Sequence, residues 1–376
     1  MADIDGIAAD NLERLLGYLD ADPANSSLLA DAAQAAADAG QPAAATDLLD
    51  RLSAIRELND QELHILGVAA LQSGDHQRAS AIYRSLMDQG IEYPAIRFNL
   101  AWSLTGKGER SAAEQLLDDA TVAALPQAAM LKVQLLHGSG DLAGAGAAAR
   151  GALERHPGHR GLLAAVSVLA VDLDDLDLAR SCASGAEDHP DALATLGTLA
   201  LEGDDAGTAR PLFERALEMS ANVPRAWVGL GLSRLAEGDA AGAAADIDRG
   251  AELFADHLGS FIAAGWAYFI AGDAAAARAR FEHALELDPT FAESHGSLAV
   301  LAATEGQREE AERKVEVAMR LDRNCYSAAL ALVLLRAAKG DQEGARRIFE
   351  RAINSRVDGS GRTIAQSLAR MGTPNT

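Results

Sequence analysis

The sequence predicts an all-α solenoid, built from about ten helix-turn-helix repeats with a helical cap at each end. Apolar residues make up 49% of the chain but aromatic residues only 4%, so small side chains with high helix propensity dominate. Apolar residues with helical spacing recur about every 34 residues. Because each repeat of such an array contacts mainly its neighbours, 376 residues need not be divided into several globular domains.

The chain begins with a predicted capping region, residues 1–25. A helix is expected over about residues 7–20, with one apolar stripe formed by Leu12, Leu15, Leu16 and Leu19. The segment ends before Asp22-Pro23. In the register of the repeats, this helix corresponds to the second helix of a repeat that lacks its first helix, so we interpret it as an N-terminal cap.

The repeats themselves are predicted over residues 26–359. They begin at Ser26, Asp60, Pro94, Pro126, Arg160, Pro190, Pro224, Leu258, Ala292 and Tyr326. Most steps are 34 residues, but the third repeat is two residues shorter and the fifth is four shorter. We expect the loops between repeats to take up these deletions.

Three kinds of position carry the periodicity, counted from the first residue of each repeat. Position 20 is always alanine: Ala45, Ala79, Ala113, Ala145, Ala179, Ala209, Ala243, Ala277, Ala311 and Ala345. Position 8 is usually small and position 24 usually large and apolar, except for Ala149 and Ala183 in the fourth and fifth repeats. A small residue is needed where the second helix crosses the first.

Glycine marks the predicted turn between the two helices of a repeat. It occurs as Gly40, Gly74, Gly108, Gly140, Gly238, Gly272, Gly306 and Gly340, often followed by an acidic residue. Glycine readily adopts the left-handed conformation that ends a helix, and the acid can cap the next one. After the last repeat, residues 360–376 are predicted to hold a C-terminal capping helix, at about 363–370, and a tail.

Residues 258–291 give the clearest repeat. Its motif positions are Phe261, Gly265, Tyr268, Ala277, Phe281, Ala284 and Pro289. This pattern resembles the tetratricopeptide repeat, a 34-residue helix-turn-helix unit. The family's aromatic residue at position 4 is kept here only as Trp227 and Phe261. The alanine-rich, acidic composition is similar to that of bacterial multi-repeat scaffolds.

The resemblance implies a right-handed superhelix with a concave groove, formed mainly by positions 2, 5, 9 and 12 of the first helices. The groove residues that we predict to bind a partner are His64, Val68, Leu71, Phe98, Asn99, Trp102, Met130, Gln134, His137, Arg225, Val228, Leu232, Ile262, Trp266 and Phe269. Most are apolar, which suits an apolar or amphipathic protein segment. Trp102 and Trp266 are the best candidate anchors, since aromatic residues dominate interface energetics.

One alternative to this binding hypothesis stays open. Neighbouring first helices could cover the same side chains, in which case they bind nothing. The family's clamp for a C-terminal carboxylate is not expected, because Asn99 and Arg225 stand apart and no lysine joins them.

The charge of the chain narrows the class of partner. Lys and Arg number 33 against 55 Asp and Glu, a formal charge of −22, which repels nucleic acid and anionic lipid. Cys182 and Cys325 lie far apart in the sequence, so no disulfide framework is expected and a reducing compartment is implied. Neither a secretory leader nor an apolar run long enough to span a membrane is apparent. We expect a cytoplasmic location, protein partners, no nucleic acid and no membrane insertion.

Nothing in the sequence indicates catalysis. His156 and His159 flank Pro157-Gly158 in a loop, and the acidic run over residues 172–177 lacks the central glycine and distal glutamate of a calcium loop. No nucleophile elbow or phosphate-binding loop occurs. We therefore predict no enzyme, no cofactor, no metal site and no catalytic residue, although groove histidines such as His64 and His137 are where an active site would be sought.

The predicted function is a non-catalytic, chaperone-like scaffold or adaptor for protein-protein interaction. A self-assembling structural protein is the alternative, so a homo-oligomer is possible. A regulatory subunit of an enzyme, or of an envelope or secretion assembly machine, is a further interpretation that rests on resemblance alone.

Overall fold

The structure is a computed structural model and describes residues 2–203 and 205–353. Among these residues, helices are the only regular secondary structure. The chain folds as two compact units, an N-terminal unit up to Ala165 and a C-terminal unit from Val166. The predicted capping helix at 363–370 lies outside the described residues.

The N-terminal unit contains a leading helix and the first four repeats. Its helices are α1 (Ala2–Ala21), α2 (Ser26–Asp38), α3 (Pro42–Ser53), α4 (Asp60–Gln72), α5 (His76–Asp88), α6 (Pro94–Gly106), α7 (Arg110–Leu116), α8 (Asp119–Ala124), α9 (Pro126–Gly138) and α10 (Leu142–Arg155). The unit boundary falls within α11 (Arg160–Asp172).

The C-terminal unit continues with the same alternation of first and second helices. Its helices are α12 (Leu176–Ser184), α13 (Pro190–Glu202), α14 (Ala206–Met219), α15 (Pro224–Ala236), α16 (Ala240–Phe254), α17 (Leu258–Ile270), α18 (Ala274–Leu287), α19 (Ala292–Thr304), α20 (Arg308–Leu321), α21 (Tyr326–Ala338) and α22 (Gln342–Ile353).

The helix α1 starts earlier than the sequence predicts and buries only part of the expected stripe. Leu12, Leu15 and Leu19 are buried against α2, but Leu16 is 39% exposed. Successive residues of a helix are about 100° apart, so Leu16 cannot share the buried face with Leu15. The other face of α1 is exposed.

Close helix crossing at position 20 is confirmed throughout the array. All ten of these alanines are buried, with Ala345 the most accessible at 5% exposure. In three repeats the ring at position 24 packs on a glycine at position 8: Tyr83 on Gly67, Phe213 on Gly197 and Phe281 on Gly265. A Cβ atom on any of these glycines would lie within 3 Å of the ring.

The turn glycines also behave as predicted. All eight have positive φ, between 66° and 90°. In the fifth repeat Asp174 occupies this conformation, with φ of 58°. Asp175 then caps α12, because its carboxylate accepts a hydrogen bond from the Leu178 backbone N–H at 3.1 Å. The acidic run there is thus partly a capping segment.

The second helix of the third repeat is interrupted, and a single residue, Leu125, separates it from the first helix of the fourth repeat. The interrupted helix consists of α7 and α8. Asp118 restarts it by accepting a hydrogen bond from the Thr121 N–H at 2.8 Å, which lowers the pKa of its carboxyl group. The Lys132 ammonium group donates to the Leu117 carbonyl, 3.0 Å away, at the break.

The same substitution is expected to have opposite effects at two helical glycines. Gly265→Ala places a Cβ 2.3 Å from the buried Phe281 ring and should lower the free energy of unfolding by about 1–3 kcal/mol. Gly17→Ala meets nothing within 4 Å and should raise it by about 0.5–1 kcal/mol. Urea unfolding followed by circular dichroism measures both, and equal effects would contradict the packing described.

Candidate functional site

Three first helices lie side by side in the N-terminal unit, since α4 contacts α6 and α6 contacts α9. Positions 5, 9 and 12 of each helix are three or four residues apart and share a face. This surface, which we call the N-terminal groove, carries His64, Val68, Leu71, Phe98, Trp102, Met130, Gln134 and His137. Gln134 and Trp102 are exposed and the others are partly buried.

The most prominent apolar feature of the N-terminal groove is an aromatic pair on α6. The rings of Phe98 and Trp102 have centroids 6.2 Å apart and planes tilted by 40°. Trp102 is 39% exposed. A large ring that is this accessible, next to a second aromatic ring, is the kind of feature that anchors a partner segment.

A polar cluster lies beside this pair and is held by the core. The amide nitrogen of Asn99 donates to the Tyr83 hydroxyl at 3.0 Å, so Asn99 is engaged within the chain. The His64 ring meets the Tyr83 ring edge-on at 6.0 Å. Burial raises the pKa of Tyr83 and lowers the pKa of His64. His64 is thus neutral near pH 7 and adds no positive charge to the groove.

The predicted anchors of the C-terminal unit are much more integrated into the core. Ile262 is 9% exposed. The Trp266 ring packs edge-on against Phe269 at 5.6 Å and against Phe281 at 5.7 Å. Phe281 is fully buried, so Trp266 forms part of the packing of its own repeat. Trp102 and Trp266 occupy the same repeat position but have different surroundings.

Arg225 is also satisfied within the chain. Its guanidinium donates to the Asp172 carboxylate on α11, at 2.6 Å. Val228, on the same helix, is partly buried, while Leu232 is 40% exposed. Neither Asn99 nor Arg225 is therefore poised to receive a partner's carboxylate.

The loop histidines that the sequence raised as a possible metal pair have separate roles. His156 Nε2 lies 3.0 Å from the Val122 carbonyl oxygen. His159 Nδ1 accepts from the Leu162 backbone N–H at 3.1 Å and so caps α11. In the described residues, no three His, Cys, Asp or Glu side chains are grouped as metal ligands would be.

A cavity that the sequence does not predict lies at the end of the described array. It has a volume of about 460 Å³ and is bounded by α21, α22, the end of α20 and the residues that join α20 to α21. Four arginines line it: Arg323, Arg336, Arg347 and Arg351. The signal that could have indicated it is the spacing of Arg347 and Arg351, which are four residues apart and so share a helix face in an otherwise acidic chain.

Comparison with protein families decides the assignment. Models described as tetratricopeptide repeat match residues 70–135, 194–257 and 258–291. The chain is a tetratricopeptide repeat protein. Among curated protein sequences, none matches it.

Solved structures similar to this tetratricopeptide repeat protein are distant in sequence. A monomeric mutant of IFIT1 with Gppp-AAAA has a TM-score of 0.53 and 12% identity, over 92% of this chain and 94% of that one. YrrB, described as a TPR protein with an unusual peptide-binding site, has a TM-score of 0.34 and 18% identity, over 43% of this chain and 84% of that one. MamA has a TM-score of 0.35 and 18% identity, over 42% and 92%. The IFIT1 likeness supports the helical repeat fold alone.

Neither compact unit offers a membrane-spanning segment in its described part. No helix there combines the length and the apolar character needed to cross a bilayer.

The two tryptophans should differ sharply in their effect on stability. Trp266→Ala removes a ring packed on Phe269 and Phe281 and should lower the free energy of unfolding by about 2–4 kcal/mol. Trp102→Ala removes an exposed ring and should cost less than about 1 kcal/mol. Urea midpoints of the two variants, measured side by side, test this, and similar losses would place Trp102 in the core as well.

Proposed function

We propose that this tetratricopeptide repeat protein is an interaction scaffold whose N-terminal groove binds an apolar or amphipathic segment of a partner protein. Tetratricopeptide repeats are typically non-catalytic protein-interaction units, which supports the general role. The observation that carries the proposal is the exposed ring of Trp102 beside Phe98, since the helix crossing within the repeat does not require a large residue at that position.

The surroundings of the pair favour an apolar ligand over a charged one. Val68, Leu71 and Met130 are partly buried on the flanking helices, so they add apolar surface. His64 is neutral because burial lowers its pKa, and the Asn99 amide already donates to Tyr83. A partner would gain affinity by covering aromatic surface, with few charged contacts to fix it in place.

The C-terminal unit is the weaker candidate for this role. Burial of Ile262 and the packing of Trp266 on Phe281 leave less apolar surface available there. Leu232, at 40% exposure, is its accessible member of the predicted groove set. We therefore place the principal binding surface in the N-terminal unit.

Affinity capture with matched variants tests the proposal. The intact chain, the Trp102→Ala variant and the Ile55→Ala variant are each used as bait in a lysate of the source cells, and bound proteins are quantified by mass spectrometry. Ile55 is 47% exposed but follows a second helix, so it controls for the loss of an exposed apolar side chain.

We expect one or more proteins to be enriched by the wild-type chain and by Ile55→Ala, and to fall at least about tenfold with Trp102→Ala, as for an interface hot spot. A segment of such a protein should then bind the purified chain directly. Equal enrichment by all three baits, at unchanged helicity, would refute the role of the N-terminal groove.

A further inference from the structure

The N-terminal groove carries no acidic, lysine or arginine side chain, although 23% of the chain is Asp, Glu, Lys or Arg. Positions 2, 5, 9 and 12 of the first helices α2, α4, α6 and α9 all hold other residue types, and all of them are exposed or partly buried. A charged side chain of a partner laid on this surface would lose solvation and find no opposite charge there to pair with. The groove therefore favours an uncharged segment.

The basic side chains that these helices do carry are held by other contacts. They are Arg97 on α6 and Lys132 on α9. The Arg97 guanidinium lies 3.7 Å from the Asp118 carboxylate, and the Lys132 ammonium group donates to the Leu117 carbonyl oxygen at 3.0 Å. Both partners belong to the break between α7 and α8. These contacts keep the two positive charges with the second helix of the third repeat.

The hydrogen-bonding groups left for a ligand are two carboxamides and an indole. Gln134 is exposed at position 9 of α9, and Gln127, also exposed, precedes it by seven residues, which is two turns along the same face. Neither carboxamide hydrogen-bonds to another residue in the part of the chain that the structure describes, and the same is true of the Trp102 indole N–H. The Thr105 hydroxyl, in contrast, donates to the Ala101 carbonyl at 2.9 Å.

An extended segment can use these groups better than a helix can. A carboxamide offers both a donor and an acceptor, so it can pair with the N–H and the C=O of a peptide group. Within a helix those backbone groups bond to each other, apart from the ones at its ends. An extended segment leaves them free and places its side chains alternately on two sides. One side can then cover the rings of Phe98 and Trp102.

We infer that the partner segment is an uncharged, extended stretch of polypeptide. The carboxamides of Gln127 and Gln134 bind its peptide groups, while its apolar side chains cover Trp102. This inference rests on the proposed function, since it specifies what occupies the N-terminal groove. Because no charge pairing is involved, the affinity should depend little on salt.

Selection of peptides with the full-length chain provides the test. A random library of linear peptides displayed on phage is panned against the chain, and the Trp102→Ala variant removes peptides that bind elsewhere. Enriched peptides are synthesised, and their Kd is measured by fluorescence anisotropy at low and at high salt. The double variant Gln127→Leu, Gln134→Leu removes both carboxamides. Its matched control is Gln77→Leu, Gln115→Leu, because these glutamines are exposed on the second helices α5 and α7.

We expect the enriched peptides to share an apolar core that lacks acidic and basic residues. They should bind the control as they bind the wild-type chain, and the Gln127→Leu, Gln134→Leu variant about tenfold more weakly, since two hydrogen bonds are lost. Replacing a core residue by α-aminoisobutyric acid, which favours a helix, should weaken binding. Replacing a core amide by an ester, which removes a backbone N–H, should also weaken it.

The outcomes separate this inference from the proposed function. Enriched peptides with a charged core, a Kd that loss of both carboxamides leaves unchanged, or tighter binding after substitution with α-aminoisobutyric acid would overturn the inference, while the groove would remain a binding surface. If no peptide is enriched by the wild-type chain over Trp102→Ala, both the inference and the proposed function are wrong.

Discussion

The close crossing of two helices within each repeat is the constraint on which the rest of the structure depends. Alanine at position 20 allows the crossing, and a large side chain at position 24 fills the space above it. That side chain is not covered by its own repeat alone: the Phe213 ring touches both Gly197 and Gly229, one repeat further on. The sixth repeat therefore completes its core only when the seventh packs against it, as expected of an array in which each repeat contacts its neighbours. In the last described repeat, Phe349 at this position is 41% exposed.

The helical repeat fold could be predicted because it depends on local chemistry. Glycines such as Gly272 lie at turn positions with positive φ, which glycine adopts readily. Alanines such as Ala277 can be assigned to the helix crossing from the repeating register alone. The break between α7 and α8 could not be predicted in the same way. It depends on whether Asp118 caps a new helix and whether Lys132 reaches the Leu117 carbonyl, and both are contacts that spacing does not encode.

The candidate site was harder to predict than the fold for a related reason. Repeat position assigns Trp102 and Trp266 to the same face, but their environments differ because Trp266 packs against Phe269 and Phe281. Likewise, the ion pair of Arg225 joins it to Asp172, 53 residues earlier in the chain. A register predicts which face a residue occupies, whereas the side chains that cover that face come from other repeats.

The acidic surface of the chain opposes non-specific association through its exposed apolar side chains. A chain with a formal charge of −22 repels other copies of itself at long range, and this repulsion opposes indiscriminate association through rings such as Trp102. Contact between copies is then favourable only where opposite charges are locally concentrated. The overall negative charge therefore opposes encounters between copies and acts against the association that exposed apolar rings would otherwise favour.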